Sequence, residues 1–346
     1  MKHQSETTPL TPLVDPFQRT ITYLRVSVTD RCNLRCIYCM PEEGIEFQPR
    51  QEILSYEEIA SIIRVGAAMG LRQVRLTGGE PLVRIGFVDL VRRVSRIPGI
   101  EDISLTTNGI ALPRYAHELA AAGLRRVNIS LDTLRPERFH AITRLGRYED
   151  VLQGIAAARA AGLSPLKLNV VVMIQVNDDE VLDFARTTLE EDWEVRFIEL
   201  MPFMEEQETC IKDTSLVPGF VPMEVIKGQI EAEFGPLEPS RTAVGHGPAR
   251  YYRIPGARGN IGFISPMTEQ RFCEACNRMR LTADGKLRPC LLTDHEVDLK
   301  GIIRSGGDDE QAIGQGILQA LHTKPDAHHL GDGSRPRWRR MAQIGG

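Results

Sequence analysis

Six of the seven cysteines in this chain of 346 residues fall into two groups of three, a pattern suited to metal chemistry. The groups are Cys32, Cys36 and Cys39, spaced C-x3-C-x2-C, and Cys273, Cys276 and Cys290, spaced C-x2-C-x13-C. Three thiolates on a short loop suit zinc or an iron–sulfur cluster. No Cys or His follows the first group before His117, so a structural zinc ion there lacks a nearby fourth ligand. A four-iron cluster held by three cysteines instead leaves one iron open for a substrate or cofactor.

The second group allows two interpretations from its spacing alone. It can form a zinc site completed by His295 or a neighbouring acidic residue, or it can hold a second iron–sulfur cluster. Cys210 stands apart from both groups, and we interpret it as a small apolar residue that binds no metal.

Composition and charge narrow the class of protein. A hydrophobic content of 42% with 25% charged residues is ordinary for a globular protein. No run of about 18 apolar residues occurs and no apolar stretch opens the chain, so we expect a cytoplasmic protein without a membrane partner. A net charge of −4 argues against a protein that coats nucleic acid. The 42 basic residues comprise 35 Arg and 7 Lys, so an isolated lysine is more informative than an isolated arginine.

Short apolar strands alternate with amphipathic stretches from Ile21 onward, a pattern typical of βα units on a parallel sheet. Gly70-Leu71, Gly123-Leu124 and Gly162-Leu163 each precede a strand, and each fits a helix that ends at a left-handed glycine. The pattern predicts six strands, at about 22–28, 73–77, 101–106, 125–131, 166–173 and 194–200. The predicted fold class is α/β, with a partial (β/α)6 TIM-like barrel.

Alternate residues of these strands differ in polarity, which assigns one face to the helices and the other to a lumen. Leu24, Val74, Ile103 and Val127 are among the apolar residues expected to face the helices. The opposite positions are polar: Arg25, Ser27, Arg75, Thr77, Ser104, Thr106, Asn128, Ser130, Asp132, Lys167 and Asn169, with Glu199 and Met201 expected from the sixth strand. Closed barrels usually fill their interior with aliphatic side chains, so this polar filling indicates an open lumen for a polar, anionic ligand. Taken singly, each of these residues can instead lie at a strand end in solvent.

Three segments follow from the change of pattern along the chain. Residues 1–16 are expected to form a flexible leader, residues 17–203 the partial barrel, and residues 204–346 a C-terminal domain. In the last segment we predict a helix near 222–233 and a hairpin across 251–254 and 261–264. The chain ends in a basic stretch, Arg335 to Arg340, and a Gly345-Gly346 pair. From composition alone, we expect this end to be exposed to solvent.

The first cysteine group resembles the signature of the radical S-adenosylmethionine (SAM) superfamily, which has this spacing with an aromatic residue, here Tyr38, before the third cysteine. The segment Thr77-Gly78-Gly79-Glu80-Pro81, after the second predicted strand, is similar to the superfamily's Gly-Gly-Glu segment. The resemblance implies that SAM binds the open iron and yields a 5′-deoxyadenosyl radical on reduction, while the protein orients and shields that chemistry.

The segment from Cys276 to Gly285 and the terminal Gly-Gly pair narrow the resemblance to the GTP 3′,8-cyclase family of molybdenum cofactor biosynthesis. The resemblance covers the chain from about Arg19 to Gly346, and it implies a C-terminal iron–sulfur extension that covers the open side of the barrel. Its other motifs are Arg25, Thr29 to Asn33, Arg75 to Pro81, Leu105 to Gly109, Ser130 to Asp132, Lys167 to Asn169 and Met201 to Phe203.

Matching positions in that family imply the site residues. The six grouped cysteines are expected to hold two [4Fe–4S] clusters, and the second cluster is expected to hold the guanine base. GTP would contact Arg25, Arg75, Thr106, Lys167, Arg278 and Arg280. SAM would contact Tyr38, Gly79, Ser130 and Met201, and Gly345 and Gly346 would assist catalysis by reaching the active site.

The expected reaction removes the 3′ hydrogen of GTP, joins that carbon to C8 of guanine and gives (8S)-3′,8-cyclo-7,8-dihydro-GTP. The resemblance further implies an external reductant, a homodimer, and transfer of the product to cyclic pyranopterin monophosphate synthase, with no nucleic-acid partner.

Two other functions compete. A radical SAM enzyme that matures a peptide can also carry an auxiliary cluster, but the Cys276 to Arg280 run and the Gly-Gly end argue against it. A zinc-stabilised protein that binds nucleic acid is disfavoured by the acidic net charge and the polar lumen.

We expect about eight iron atoms per chain after anaerobic reconstitution, because two four-iron clusters account for both cysteine groups. Iron and acid-labile sulfide analysis measures this number. Cys32→Ala should lower the iron content to about half, whereas Cys210→Ala should leave it unchanged. Zinc without labile sulfide in the purified protein would contradict the prediction.

Overall fold

One β-sheet and the helices packed on it make up most of the fold. The structure is a computed structural model, and it describes residues 11–201, 219–240, 246–269, 271–306, 309–328 and 339–345. The strands are β1 (Tyr23–Ser27), β2 (Gln73–Thr77), β3 (Asp102–Thr107), β4 (Arg126–Ser130), β5 (Lys167–Val172), β6 (Glu194–Glu199), β7 (Glu238–Pro239), β8 (Arg250–Arg253), β9 (Asn260–Ile264), β10 (Arg278–Leu281), β11 (Lys286–Arg288) and β12 (Val297–Asp298). The helices are α1 (Tyr56–Ala68), α2 (Phe87–Val94), α3 (Leu112–Ala121), α4 (Pro136–Thr143), α5 (Tyr148–Ala160), α6 (Val181–Glu190), α7 (Met223–Phe234), α8 (Leu299–Gly306), α9 (Glu310–His322) and α10 (Met341–Ile344).

The six predicted strands are confirmed as β1 to β6, which pair in parallel in their sequence order. The whole sheet has the order β12-β11-β10-β1-β2-β3-β4-β5-β6-β9-β8-β7. Strands from the C-terminal part continue the parallel run on both sides, because β10 pairs in parallel with β1 and β9 with β6. The C-terminal part therefore covers both edges of the six-strand unit, edges that would otherwise expose unpaired backbone groups.

The sheet is curved, because side chains from strands far apart in its order line one cavity. Arg25 on β1 and Ile198 on β6 both line it. In a flat sheet, five strand steps of about 4.8 Å would hold β1 and β6 roughly 24 Å apart. The prediction of an α/β partial barrel is confirmed, and its lumen is the inner face of this curved sheet.

The outer face of the sheet carries the predicted apolar residues, and all of them are buried beneath the helices. Leu24, Val74, Ile103 and Val127 are each at most 3% exposed and belong to one hydrophobic core. Because side chains alternate along a strand, this core fixes which residues face the lumen.

The assignment of Glu199 to the lumen was wrong. Val195 and Phe197 of β6 lie in the helix-side core, so Glu199 shares their face, and the inward positions of β6 are Glu194, Arg196 and Ile198. The Glu199 carboxylate is buried outside the lumen. It accepts hydrogen bonds from the backbone N–H groups of Met223 at 3.2 Å and Met267 at 2.7 Å.

Three helices end as predicted, at a glycine of positive φ followed by a buried leucine. The φ angle is +114° at Gly70, +107° at Gly123 and +71° at Gly162. The Leu71 N–H donates to the Gly66 carbonyl at 2.9 Å, which closes the last turn of α1 before β2 begins. These turns deliver the chain from a helix into the next parallel strand.

Residues 11–16 of the predicted flexible leader lie packed on the fold. Leu13 and Asp15 are buried, and the Leu13 N–H donates to the Met69 carbonyl at 3.2 Å. The Arg19 guanidinium lies 2.5 Å from the Asp15 carboxylate and fixes this segment, so flexibility does not hold for residues 11–16. Residues 1–10 lie outside the described residues, and the segment boundaries at 16/17 and 203/204 stay predictions.

The helix and hairpin predicted in the C-terminal part are confirmed. The helix is α7, and the hairpin is the antiparallel pair β8 and β9, with Tyr251 opposite Gly262. Among the described residues, no helix is long and apolar enough to cross a lipid bilayer.

Gly154→Ala should lower the free energy of unfolding by about 1–3 kcal/mol, because a methyl group there overlaps the Gly109 carbonyl oxygen and forces α5 away from the end of β3. Gly228→Ala on α7 is the matched control. It meets nothing within 4 Å and should raise that free energy by about 0.4–1 kcal/mol. Urea unfolding of the anaerobic protein measures both changes, and an unchanged Gly154→Ala variant would contradict this close packing.

Candidate active site

The first cysteine group lies on a loop that follows β1 and is fastened to the end of α4. The backbone N–H of Arg35 donates to the Thr143 carbonyl at 2.9 Å, and that of Ile37 to the Ile142 carbonyl at 3.0 Å. The Cys39 N–H donates to the Cys36 carbonyl at 2.9 Å, which forms a turn between the second and third cysteines. Backbone hydrogen bonds thus hold the loop against α4.

Burial makes the first cysteine group a poor place for isolated thiolates. Loss of solvation raises the pKa of Cys32 to about 11. Loss of solvation, followed by the neighbouring thiols, raises the pKa of Cys39 to about 12 and also raises that of Cys36. A positively charged metal centre supplies the stabilisation that burial removes. The donor set therefore fits an iron–sulfur cluster held by three thiolates.

A single zinc ion requires ligands that lie closer together than the thiolates of a four-iron cluster. In the part of the chain that the structure describes, no three side chains of His, Cys, Asp or Glu come close enough to hold one metal ion. A four-iron cluster places each thiolate on a different iron, which calls for a wider arrangement of sulfur atoms. His295, the candidate fourth ligand to zinc, is exposed and does not line the cavity next to the second group.

The Gly-Gly-Glu segment follows β2 and lies against the loop that leads to the first cysteines. The Gly79 N–H donates to the Thr29 carbonyl at 2.7 Å, and the Glu80 N–H donates to the Arg31 carbonyl at 2.8 Å. A Cβ atom at Gly79 would overlap the Arg31 carbonyl oxygen, so only glycine permits this approach. The segment and the cysteine loop therefore form one unit at the carboxyl end of the barrel.

The Glu80 carboxylate fastens this unit to the next strand. It accepts hydrogen bonds from the Leu82 N–H at 3.0 Å, the Thr107 hydroxyl at 2.8 Å and the Asn108 N–H at 2.7 Å. Burial raises the pKa of Glu80 to about 7, and the three donors act in the opposite direction. These three contacts are all with other residues of the protein, so we interpret Glu80 as a residue that positions the loop.

Tyr38 and Ser130, two of the residues assigned to SAM, lie near the same end of the barrel. The Tyr38 hydroxyl donates to the Asp132 carboxylate at 2.8 Å, and the Val171 N–H donates to the other oxygen of Asp132 at 2.8 Å. Burial raises the pKa of Asp132 to about 6. Tyr38 is thereby tied to the strand ends β4 and β5, directly beside Cys39.

The lumen opens into a cavity that has the second cysteine group in its wall, with about 980 Å³ of empty space that is partly continuous with solvent. Its wall includes Cys273, Cys276, Cys290, Arg25, Arg75, Asn169, Arg196, Ile198, Met201, Arg278, Arg280, Lys324, His328 and Met341. The structure therefore brings four of the six residues assigned to GTP together with the second cysteine group.

Positive charge dominates this cavity. Burial, followed by repulsion from neighbouring arginines, lowers the pKa of Arg25 and brings that of Arg280 to about 9, and burial also lowers the pKa of Arg75. Buried guanidinium groups that repel one another favour the binding of an anion, because the anion's charge offsets the repulsion between them.

Arg196 is a cavity residue that the sequence analysis missed. It lies on β6, and two of its buried nitrogen atoms, Nε and Nη2, have no hydrogen-bond partner among the described residues. Buried donors without partners are costly, so this side chain fits a ligand that supplies acceptor oxygens. Counting the alternation of β6 from buried Val195 and Phe197 would have found it.

Lys167 and Thr106, the other two residues assigned to GTP, lie on the inner face but outside the cavity wall. The Lys167 ammonium contacts the Glu194 carboxylate and lies 3.1 Å from the Tyr251 hydroxyl. The Thr106 hydroxyl lies 3.4 Å from the side-chain nitrogen of Asn128. Their contact with substrate stays a prediction.

The chain terminus enters the mouth of the barrel. The carbonyl of Gly345 accepts a hydrogen bond from Arg280, and a Cβ atom at Gly345 would lie 2.7 Å from the Thr77 side chain. The N–H of Ala342 hydrogen-bonds the Cys39 thiol, and Ala342 itself is buried. The tail therefore touches both the first cysteine group and the cationic cavity, whereas Gly346 and Cys210 lie outside the described residues.

Arg339 anchors this tail. Its guanidinium donates to the Asp284 carboxylate at 2.8 and 3.0 Å and to the Glu296 carboxylate at 2.5 and 2.9 Å. These contacts raise the pKa of Arg339 despite its partial burial. Asp284 lies in the turn between β10 and β11 and Glu296 directly precedes β12, so the anchor fastens the tail to these two segments.

The curved parallel sheet and the three-cysteine loop at its carboxyl end define a radical SAM enzyme. Residues 26–188 match the family described as the radical SAM superfamily, and residues 193–330 match molybdenum cofactor synthesis C. In fold, the chain is similar to SuiB of Streptococcus suis in its complex with the precursor peptide SuiA, with a TM-score of 0.58 and 13% identity over 95% of this chain and 75% of that chain. This likeness shows the fold alone.

Full-length relatives give the particular family. The chain is 53% identical to the GTP 3′,8-cyclase of Heliobacterium modesticaldum over 96% of this chain and 100% of that protein. It is 51% identical to the GTP 3′,8-cyclase of Pelotomaculum thermopropionicum over 96% of this chain and 99% of that protein. The chain belongs to the GTP 3′,8-cyclase family.

Arg339→Met should release the tail, because it removes a guanidinium that holds two carboxylates in a partly buried site. We expect trypsin to cut after Arg340 about tenfold faster, which corresponds to ~1.4 kcal/mol. Mass spectrometry of the released peptide measures the rate. Arg186→Met removes a guanidinium that pairs with Asp183 and with Glu233 on α7, and it is the control. Equal cleavage in the Arg339→Met and parent proteins would show that the anchor does not hold the tail.

Proposed function

We propose that this chain converts GTP to (8S)-3′,8-cyclo-7,8-dihydro-GTP, the first step of molybdenum cofactor biosynthesis. One observation carries the proposal: a single lumen combines the second cysteine group with Arg25, Arg75, Arg196 and Arg280. A triphosphate needs several cations in one cavity, and a purine nitrogen is an acceptable iron ligand. Membership of the cyclase family agrees with this chemistry.

Two [4Fe–4S] clusters and SAM are the cofactors of this reaction. Cys32, Cys36 and Cys39 would hold the first cluster, and Cys273, Cys276 and Cys290 the second. When bound and reduced, the first cluster and SAM supply the 5′-deoxyadenosyl radical that removes a hydrogen atom from C3′ of GTP. Gly79, Tyr38, Ser130 and Met201 remain the proposed contacts of SAM.

The arginines of the lumen orient the substrate. In our proposal Arg25, Arg75 and Arg196 bind the triphosphate, while Arg278 and Arg280 on β10 hold the nucleotide beside the second cysteine group. Because all five extend from paired strands, their positions are fixed before GTP arrives, and this pre-organisation holds the ribose in one place. Lys167 and Thr106 would complete the site from deeper positions on the inner face.

The tail closes the mouth in this proposal. Its contact with Arg280 through the Gly345 carbonyl links the tail to the same guanidinium that faces the cavity. A closed mouth excludes water and shields the reacting ribose carbon. In this proposal Gly345 acts at the junction between the two cysteine groups, and the expected role of Gly346 stays a prediction.

Other parts of the interpretation stay proposals without a structural counterpart. These are a cytoplasmic location, a homodimer, an external reductant and transfer of the product to cyclic pyranopterin monophosphate synthase. A peptide-maturing radical SAM enzyme is the competing function, and the arginine-rich cavity disfavours it, because a peptide backbone does not need such a concentration of positive charge.

Anaerobic incubation with GTP, SAM and dithionite tests the function. We expect a product with the mass of GTP but a different retention time, because one hydrogen leaves C3′ and one is gained at N7. Deuterium at C3′ of GTP should appear in 5′-deoxyadenosine. Cys32→Ala should abolish SAM cleavage even without GTP. Cleavage of SAM by the parent protein with no conversion of GTP would overturn the proposal.

Lys167→Ala should weaken GTP binding about tenfold, or ~1.4 kcal/mol, because an ammonium group is lost from the lumen. Equilibrium dialysis of the anaerobic protein measures this. Lys227→Ala on α7 is the matched control, since Lys227 pairs with Glu231 outside the lumen. Unchanged GTP affinity in Lys167→Ala would remove Lys167 from the site.

A further inference from the structure

Lys324 is a buried cation that the cyclase chemistry outlined above leaves without a role. It follows α9, is 4% exposed and lines the cavity next to the second cysteine group. Lysine is scarce in this chain, and a fully buried ammonium is uncommon unless it has dedicated partners. Its place in the fold therefore calls for a specific function.

All three protons of this ammonium group are already used. Its Nζ atom lies 3.4 Å from the Cys276 sulfur, 2.9 Å from the Arg278 carbonyl and 2.7 Å from the Pro289 carbonyl. An ammonium has three donors, so none is left over for a phosphate in the cavity. Lys324 is therefore committed to the protein and does not serve as a substrate contact.

These partners lie on two separate segments of the second cysteine group. Cys276 and Arg278 belong to the segment that leads into β10, and Pro289 directly precedes Cys290. Lys324 thus fixes the distance between the segments that carry the second and third cysteines. Arg19 does the same for the first, because its guanidinium donates to the Cys273 carbonyl at 2.9 Å and to the Pro325 carbonyl at 2.5 Å.

A positive charge beside a thiolate ligand has a second effect. An iron–sulfur cluster gains a negative charge on reduction, so a cation hydrogen-bonded to a ligand sulfur stabilises the reduced state and raises the reduction potential. In the second group two cations approach one ligand sulfur: Lys324 Nζ lies 3.4 Å and Arg278 Nη2 3.9 Å from the Cys276 sulfur. Lys324 is the nearer of these two cations, so its hydrogen bond to Cys276 is the contact expected to act most strongly on the cluster.

We propose that Lys324 is a positioning residue for the second cluster, which spaces Cys276 from Cys290 and raises the reduction potential of the cluster through its hydrogen bond to Cys276. This inference rests on the proposed function, since it takes the second group to be an iron–sulfur site. The residue acts through the cysteine ligands.

The test uses the full chain with Cys32, Cys36 and Cys39 replaced by Ala, so that only the second cluster contributes a signal. Electron paramagnetic resonance at controlled potentials measures the ratio of reduced to oxidised cluster, and iron analysis reports loading. In this background, Lys324→Met removes the charge at similar length, and Lys324→Arg keeps it. Lys227→Met on α7 is the control for loss of a lysine elsewhere.

We expect Lys324→Met to lower the reduced-to-oxidised ratio about tenfold at a fixed potential, equivalent to 59 mV for one electron. Lys324→Arg should change it less than about threefold, and Lys227→Met should leave it unchanged. A loaded Lys324→Met protein with the parent ratio would overturn the proposal, as would a loss of GTP affinity without any change of potential.

Poor iron loading is also decisive. If Lys324→Met fails to load and Lys324→Arg restores both iron and potential, the charge at this position is required as proposed. If both variants fail to load, the proposed effect of charge is overturned. A parent background that holds zinc, or no cluster at all, would instead contradict the proposed function itself, so the two failures are distinguishable.

Discussion

The rest of the molecule depends on one constraint: several buried guanidinium groups lie close together on the inner face of the sheet. In the buried lumen Arg25 is repelled by Arg280 and Arg75, and Arg75 is repelled by Arg196, so an anion that binds there relieves the repulsion. The outer core and the parallel ladders hold these side chains in place against that repulsion. The same repulsion prepares the site, because little rearrangement is needed when a triphosphate enters.

The C-terminal part turns this charged face into a site with two centres. Strand β10 pairs with β1, which puts Arg280 opposite Arg25. This pairing also brings the second cysteine group to the lumen. The first cysteine group lies at the carboxyl ends of the strands that surround the same lumen. The surroundings of the two groups differ. Burial dominates around Cys36, whereas Arg278 and Lys324 lower the pKa of Cys276 to about 6 against the effect of burial.

Strand positions and faces could be predicted from the sequence because alternation and helix ends are local signals. The burial of Leu24 and Val74 and the turn at Gly70 could each be predicted from the neighbouring residues alone. Glu199 was misassigned because its polarity was weighed without the buried Val195 and Phe197 that set the face of β6. Lys324 and Arg339 were missed for another reason: their partners lie far along the chain, and no local pattern in an Arg-rich sequence marks an anchoring residue.

The pairing of β1 with β10 also has a consequence for how the protein is made. Thr22 and Asn277, which hydrogen-bond beside that pair, are 255 residues apart. During synthesis the edge of β1 therefore stays open until most of the chain has left the ribosome. Contacts of such high sequence separation form slowly and leave an unpaired strand edge exposed to other chains. The edge of the first strand, β1, is therefore covered late, and until then it can pair with the strands of other chains.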